Sequence, residues 1–259
     1  MNKLVSVSVC TNRPHCLPNI INNYKRQSYK NKELIVIINS DAINRDDTIK
    51  SIRNANITKY KVVKVSEKKG LGYCLNIAIA RSSGVYWTKM DDDDFYDVGY
   101  LKEVISYLVQ NKNIQVVGKC KFKIYIPEHD KLYMWDSRFR ENSIGGAVAG
   151  ATITVRRSIF RTIRFNEFLQ TSEDSRFLKI CKQKKYKIYA TSSDNFIVIR
   201  HIDPNNHTWK IKIKDFQKRC KPYGGEKGKA LLKHLKQNHI FSKPVDSDCS
   251  DNECIVDGG

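Results

Sequence analysis

Four carboxylates, Asp91, Asp92, Asp93 and Asp94, follow one another directly after the apolar run Tyr86-Trp87-Thr88-Lys89-Met90. Adjacent like charges repel unless a cation neutralises them, and Mg²⁺ or Mn²⁺ takes one or two such oxygens together with substrate phosphate oxygens. Alternate side chains of an extended backbone share a side, so Asp91 and Asp93 are expected on one face and Asp92 and Asp94 on the other. The plainer alternative is a solvated acidic turn capping a helix that begins near Asp97, but the apolar strand leading in favours metal and phosphate chemistry. Two more groups invite attention. Arg200, His201, His207 and Trp209 follow a strand-like run, where a lone histidine would be structural but two histidines with an arginine and a tryptophan mark a candidate functional segment. In Thr171-Ser172-Glu173-Asp174, Thr171 or Ser172 is a good helix N-cap and the acidic pair suits a first helical turn.

The elements that must position these groups are legible from period and punctuation. Strand-like runs at residues 4–10, 34–39, 60–65, 85–90 and 114–117 alternate with helical spacings, Leu17-Ile20-Ile21-Tyr24 after Pro14 and Leu71-Leu75-Ala78-Ile79. This βαβα order predicts an α/β fold, an open and mostly parallel central sheet flanked by helices. Ligands bind such sheets at the carboxyl ends of the strands, which singles out residues 11–13, 39–41, 66–69 and 91–94. Gly70-Leu71-Gly72 lacks the third glycine of a dinucleotide fingerprint and predicts a tight turn into a helix. After Gly118 the alternation breaks, through a turn at 127–131 and the glycine-rich stretch 145–150, into a less regular half. The expected division is one domain over 1–241, with a nucleotide-binding half (1–119) and an acceptor half with a lid (120–241), then an acidic flexible tail (242–259).

Composition narrows the function classes. At 259 residues and 41% hydrophobic, the chain can bury a large core. No run approaches the ~20 apolar residues of a membrane span, and the first ten residues lack a signal-peptide pattern, so a soluble cytoplasmic protein is expected, with peripheral membrane contact left open. Eight cysteines without a CxxC pair argue for reduced thiols and against a zinc cluster, only Cys249 and Cys254 being placed to bridge. The net charge of +19 invites a nucleic-acid reading, yet the lysines are spread along the chain with no basic arm or recognition motif, so no nucleic-acid partner is expected.

The stretch from Leu4 to Tyr96 resembles the nucleotide-binding half of family-2 glycosyltransferases of the GT-A fold. Cys10-Thr11-Asn12-Arg13-Pro14 after the first strand, the strand ending at Asn39, the segment Gly70 to Ala80 and the aspartate cluster as a DxD motif occur in that family's order and spacing. The resemblance implies that Thr11, Arg13, Asp41, Lys69, Asn76, Asp91 and Asp92 line the donor site. It also implies that Asp93 holds a divalent metal, Mn²⁺ or Mg²⁺. One departure is Asn39-Ser40-Asp41, where many members carry an aspartate pair followed by glycine and serine. Further on, Phe165 to Leu178 resembles the acceptor segment that ends in the family's Glu-Asp motif, which implies Asp174, beside Glu173, as catalytic base. Arg200 and Trp209 would then meet the donor and His201 the metal, on a loop closing over the diphosphate. The pairing of Asn206-His207-Thr208-Trp209-Lys210 with the opening Cys-Thr-Asn-Arg-Pro is similar to spore-coat-maturation glycosyltransferases of endospore-forming bacteria.

What the resemblance implies is inverting transfer from a nucleotide sugar, a UDP-sugar, to a nucleophile on a glycan, protein or peptide. Two rivals remain at this point: a non-catalytic nucleotide-sugar or glycan-binding module, and a basic nucleic-acid-binding protein. The intact aspartate cluster speaks against both.

Overall fold

A computed structural model describes residues 3–169, 171–201, 216 and 218–239. The first half follows the expected alternation: β1 (Val5–Thr11), α1 (Leu17–Arg26), β2 (Lys32–Ile38), α2 (Arg45–Asn54), β3 (Tyr60–Lys64), α3 (Leu71–Arg81) and β4 (Tyr86–Lys89). Val5, Val7 and Val9 of β1 and all of Leu34 to Ile38 in β2 are buried, as strands covered on both faces require. Pro14 opens a short 3-10 turn that runs into α1, and Asn44 caps α2 by accepting from the amides of Asp46 and Asp47.

Next come β5 (Phe95–Tyr96), α4 (Tyr100–Gln110), β6 (Ile114–Lys119), β7 (Phe122–Ile126), β8 (Lys131–Trp135), β9 (Ser143–Ile144) and β10 (Thr154–Arg156). The last described elements are α5 (Glu173–Gln183), β11 (Lys187–Thr191), β12 (Phe196–Ile199), β13 (Cys220–Pro222) and α6 (Gly225–Asn238). The large sheet has the order β3-β2-β1-β4-β10-β6-β11-β9. Six of these strands run parallel, while β10 enters antiparallel between β4 and β6, and β9 antiparallel at the edge. The mostly parallel sheet is therefore present, with one reversed strand at its centre.

A second sheet, order β13-β8-β7-β12-β5, was not expected as a sheet, although the strand-like run before Arg200 is its β12. Residues 121–126 were legible only as a break in the alternation, because β7 is buried throughout and shows no two-residue period. β5 lies directly after the aspartate cluster and pairs with β12, Phe196 opposite Tyr96, so this sheet ties the cluster to the second half of the chain.

The turn into α3 also serves packing. Gly72 is buried against the backbone of Asn166, where a methyl group would overlap the carbonyl oxygen. Asn76, one turn on, donates to the Phe165 carbonyl at 3.0 Å and accepts from the Phe165 amide at 3.1 Å. Gly72→Ala should therefore lose about 1–3 kcal/mol despite the better helix propensity of alanine, lowering Tm by several degrees. A melting temperature at or above the wild type would show that the 163–169 segment can withdraw freely.

Candidate functional site

The aspartate cluster sits at the carboxyl end of β4, at the centre of the large sheet. Its backbone is bent rather than extended, yet the predicted alternation survives: Asp92 and Asp94 are buried, and Asp91 and Asp93 stand at the rim. Three amides on one stripe of α1 hold this turn. Asn19 donates to the carbonyls of Asp92 (2.9 Å) and Asp94 (3.0 Å), and Asn23 donates to Asp94 (2.8 Å) while accepting from the Tyr96 amide (3.1 Å). Gln27, just past the helix, donates to Tyr96 and Asp97 and accepts from Leu101. Spacing of four residues puts all three on one helical face, and together they satisfy backbone groups that an irregular buried turn would otherwise leave unpaired. The solvated helix cap is thereby set aside, since α4 begins only at Tyr100.

Each carboxylate has its own partner. Asp92 accepts from the Thr11 hydroxyl at 2.6 Å and from the Arg13 guanidinium, which also reaches Asp93 at 2.9 Å. Asp94 accepts from the Ile199 amide at 3.1 Å, bringing the end of β12 against the cluster. Asp91 lies 3.2 Å from the Lys89 ammonium. Burial raises the Asp93 pKa to about 6, with Asp92 and Asp91 adding to the rise and Arg13 opposing it. Burial and the charge of Asp93 push Asp94 well above the ordinary range. For Asp91 burial again leads, opposed by Lys89 and reinforced by Asp174.

Across β4 the site is completed from the second half of the chain. Lys89, 3% exposed, places its ammonium 2.7 Å from Asp174 Oδ2. Burial pulls its pKa down, but Asp174 and Asp91 outweigh that and hold it above the ordinary lysine value. Asp174 lies in the first turn of α5, against Gly150, where any side chain would overlap its carboxylate. Helix α5 is fixed by Phe177 stacked on Phe165 at 4.3 Å, and Phe165 in turn is pinned by Asn76. Ser172 occupies the expected N-cap position, with Glu173 and Asp174 in the first turn, but it lies in the left-handed region (φ 67°) and its side chain makes no cap bond. Glu173 is buried, and its pKa is raised by burial and by Asp174.

The other sequence candidates divide. Thr11, Arg13, Asp91, Asp92, Asp93 and Asp174 converge. Asn76 stands apart from them, its amide committed to Phe165 and, at 2.7 Å, to Glu167. Asp41 and Lys69 are exposed at the ends of neighbouring strands, Lys69 over the Tyr73 ring. Arg200 is buried one residue past the Asp94 contact, and His201 follows it, 2.8 Å from Glu128. His15, two residues after Arg13, has its pKa lowered by burial first and then by the charges of Arg13 and His201, against an opposing effect of Asp92. His207 and Trp209 lie outside the described residues, as do Cys249 and Cys254. The described cysteines are free thiols.

The rim carboxylates suit a hard cation: Asp91 and Asp93 offer partly exposed oxygen donors whose mutual repulsion a divalent ion would relieve. Among the described residues no three His, Cys, Asp or Glu side chains form a ready-made cage, so the remaining ligands would have to be water or the oxygens of a bound nucleotide.

The family model of glycosyl transferase family 2 matches residues 7–189, which span both sides of this site. The chain belongs to glycosyl transferase family 2. A relative named only as an uncharacterized glycosyltransferase of Haemophilus influenzae is 26% identical over 196 residues, 73% of this chain and 76% of the relative. Another from the same organism is 30% identical over 118 residues, 44% of this chain and 36% of that protein. Among solved structures, S. aureus TarS 1-349 superposes with a TM-score of 0.57 at 17% identity, over 75% of this chain and 60% of that one. The mannosyltransferase PcManGT of Pyrobaculum calidifontis, in complex with GDP-Man and Mn²⁺, gives 0.59 at 15% identity, over 76% and 56%. At such identities the likeness concerns the fold, which is GT-A. The chain thus spans less than two thirds of these two structures and little more than a third of one relative. Among the described residues no helix is long and apolar enough to cross a membrane.

Sequence reasoning on this family-2 chain missed Lys89, the Asn19-Asn23-Gln27 stripe and Gly150. The stripe carried a signal, three amides at spacing four on an otherwise amphipathic helix. Lys89 carried one too, a lysine two residues after a buried tryptophan in a short apolar strand.

A carboxyl whose pKa is higher in the folded chain favours folding when protonated. The Asp93 contribution is therefore present below the ordinary value near ~4 and lost as pH rises through about 6. Without added metal, Asp93→Asn should be more stable than wild type at pH 7.5, by about 1 kcal/mol or ~2–4 °C. The gap should close towards pH 4. A gap independent of pH, by calorimetry across this range, would mean that Asp93 is not held in a repulsive site.

Proposed function

We propose that the chain transfers a sugar from a nucleoside-diphosphate sugar to an acceptor hydroxyl with inversion. The observation that carries this reading is the convergence, at the carboxyl end of β4, of three carboxylates (Asp91, Asp92, Asp93) with a fourth, Asp174, from the opposite half of the chain. In a family-2 chain this supplies a donor side and an acceptor side on one strand end. UDP-sugars come first among donors, on the resemblance of residues 4–96, and a GDP-sugar is the next choice; TarS 1-349 is known in complex with UDP-GlcNAc and PcManGT with GDP-Man.

Thr11 and Arg13 would border the nucleotide and Asp92 would order both, as its bonds to them already do. Asp91 would face the donor sugar. Asp93 would hold Mn²⁺ or Mg²⁺ against the diphosphate, and the ion when bound neutralises charge on the leaving group. Arg13 and Arg200 would add positive charge near the diphosphate, and His201 a ring nitrogen. Asp174 accepts the acceptor proton as that oxygen forms its bond to the anomeric carbon and the bond to the diphosphate oxygen breaks. No covalent nucleophile is needed for this single displacement. The acceptor is a hydroxyl of a glycan, protein or peptide. The reaction is placed in the cytoplasm, where nucleotide sugars would be available to it.

The test begins with thermal shift against UDP-glucose, UDP-galactose, UDP-N-acetylglucosamine and GDP-mannose, with Mn²⁺ or with EDTA. One sugar nucleotide should raise Tm with Mn²⁺ only, and Asp93→Ala should abolish that rise while remaining folded. Equal shifts in EDTA would remove the metal from the reading. With the donor so identified, Asp174→Asn should lower nucleoside diphosphate release by roughly 10²–10⁴ while leaving the thermal shift intact. Binding without any release in the wild type would favour a non-catalytic sugar-nucleotide module.

A further inference from the structure

Lys89 is a buried cation that the donor and acceptor roles above do not use. On β4 it shares a face with Trp87, which packs edge-on to Phe160 at 5.3 Å and tilted to Phe165 at 6.0 Å. This is the face on which α5 lies. The neighbouring Thr88 points the other way, to the Thr154 hydroxyl of β10 at 2.7 Å. The ammonium of Lys89 therefore emerges between the aspartate turn and α5, 3.2 Å from Asp91 Oδ1 and 2.7 Å from Asp174 Oδ2.

The Asp174 carboxylate is held asymmetrically. Its Oδ2 takes the lysine and rests on the backbone of Gly150, while Oδ1 is buried and has no hydrogen-bond partner among the described residues. A buried carboxylate oxygen without a partner is costly, and such exceptions need a reason. Neutralisation alone would not require this geometry, since a lysine could pair with either carboxylate. Here one ammonium grips both, at the junction of the two halves of the site.

We infer that Lys89 is a positioning residue: it fixes Asp174 through Oδ2, leaves Oδ1 as the atom that accepts the proton, and sets the distance from this base to Asp91. The inference rests on the reading of Asp174 as the base. Placing a base within hydrogen-bond reach of its proton dominates its effectiveness, and small displacements cost heavily. Loss of Lys89 should therefore act on turnover rather than on donor capture.

The experiment measures nucleoside diphosphate release, with Mn²⁺ and water as acceptor, from the sugar nucleotide identified by thermal shift. Lys89→Met keeps length and burial without the charge. It should lower kcat roughly 10²-fold with donor KM within about threefold, and Lys89→Arg should recover to within about tenfold of wild type. Lys89→Met combined with Asp174→Asn should be no slower than Asp174→Asn alone, because both remove one function. If Lys89→Met turns over like wild type while Asp174→Asn collapses, the positioning role is overturned and the base reading stands. If Asp174→Asn itself turns over like wild type, the base reading fails and this inference with it. Should Lys89→Met not fold, Gly150→Ala tests the same geometry with the lysine in place. Its methyl displaces Oδ2, so kcat should fall at least about tenfold at unchanged donor KM. Wild-type kcat in Gly150→Ala would overturn the inference.

Discussion

Mutual repulsion among consecutive carboxylates is the constraint around which this half of the molecule is organised. Four consecutive aspartates, two of them buried and two at the rim, cannot share one turn without cations or donors close by. The fold meets this by assigning each to a different element: Asp92 to Thr11 and Arg13 after β1, Asp94 to the amide of Ile199 at the end of β12, and Asp91 to Lys89 on β4 itself. Asp93 shares Arg13 at the rim, where burial first, and the charges of Asp92 and Asp91 after it, raise its pKa to about 6 against the pull of Arg13. A site that binds a cation and a diphosphate gains from such residual repulsion, because ligand binding relieves it.

The same constraint explains why the second sheet exists where it does. β5 follows the aspartates immediately, and its pairing with β12 brings the Ile199 amide to Asp94. The loop before β12 is itself held from within. Lys119, fully buried, donates to both Glu103 oxygens, to the Thr191 hydroxyl and to the Ser192 carbonyl, and Glu103 also accepts from Asn195. A buried ion pair gives little net stability unless its remaining donors are satisfied. With every acceptor in place, this one locks α4, β6 and residues 191–195 into a single arrangement, and so fixes the end of β12.

The parallel half was legible in the sequence because strand and helix periods alternate there without interruption, and because strand ends carry the polar residues that a ligand needs. The strand-end positions of Thr11, Arg13 and Asp91 to Asp93 are read this way, and Asp174 enters only through the resemblance of residues 165–178. What stayed hidden were residues whose role depends on partners far along the chain. Asn19 acts on a turn 73 residues away, and Lys89 on a helix 85 residues away. Local pattern cannot show such pairings, although buried amides at helical spacing and a lysine in an apolar strand are departures from consistency that mark them. The small sheet was missed for a related reason. A strand buried on both faces has no alternation, and only its partners identify it.

Charge illustrates the same limit. Spread along the sequence, the lysines suggest a generally basic surface, but several are interior structural groups. Lys32 donates to two backbone carbonyls, Lys119 to four acceptors, Lys123 to Asp194 and Ser193, and Lys89 joins two carboxylates. An ammonium in each of these places offers three donors on a flexible stem and can satisfy acceptors on separate segments at once. The excess of positive charge is thus partly internal to the architecture. Of these lysines, Lys89 alone faces the aspartates of the site, while Lys119 pairs with Glu103, Lys123 with Asp194, and Lys32 ties backbone carbonyls together.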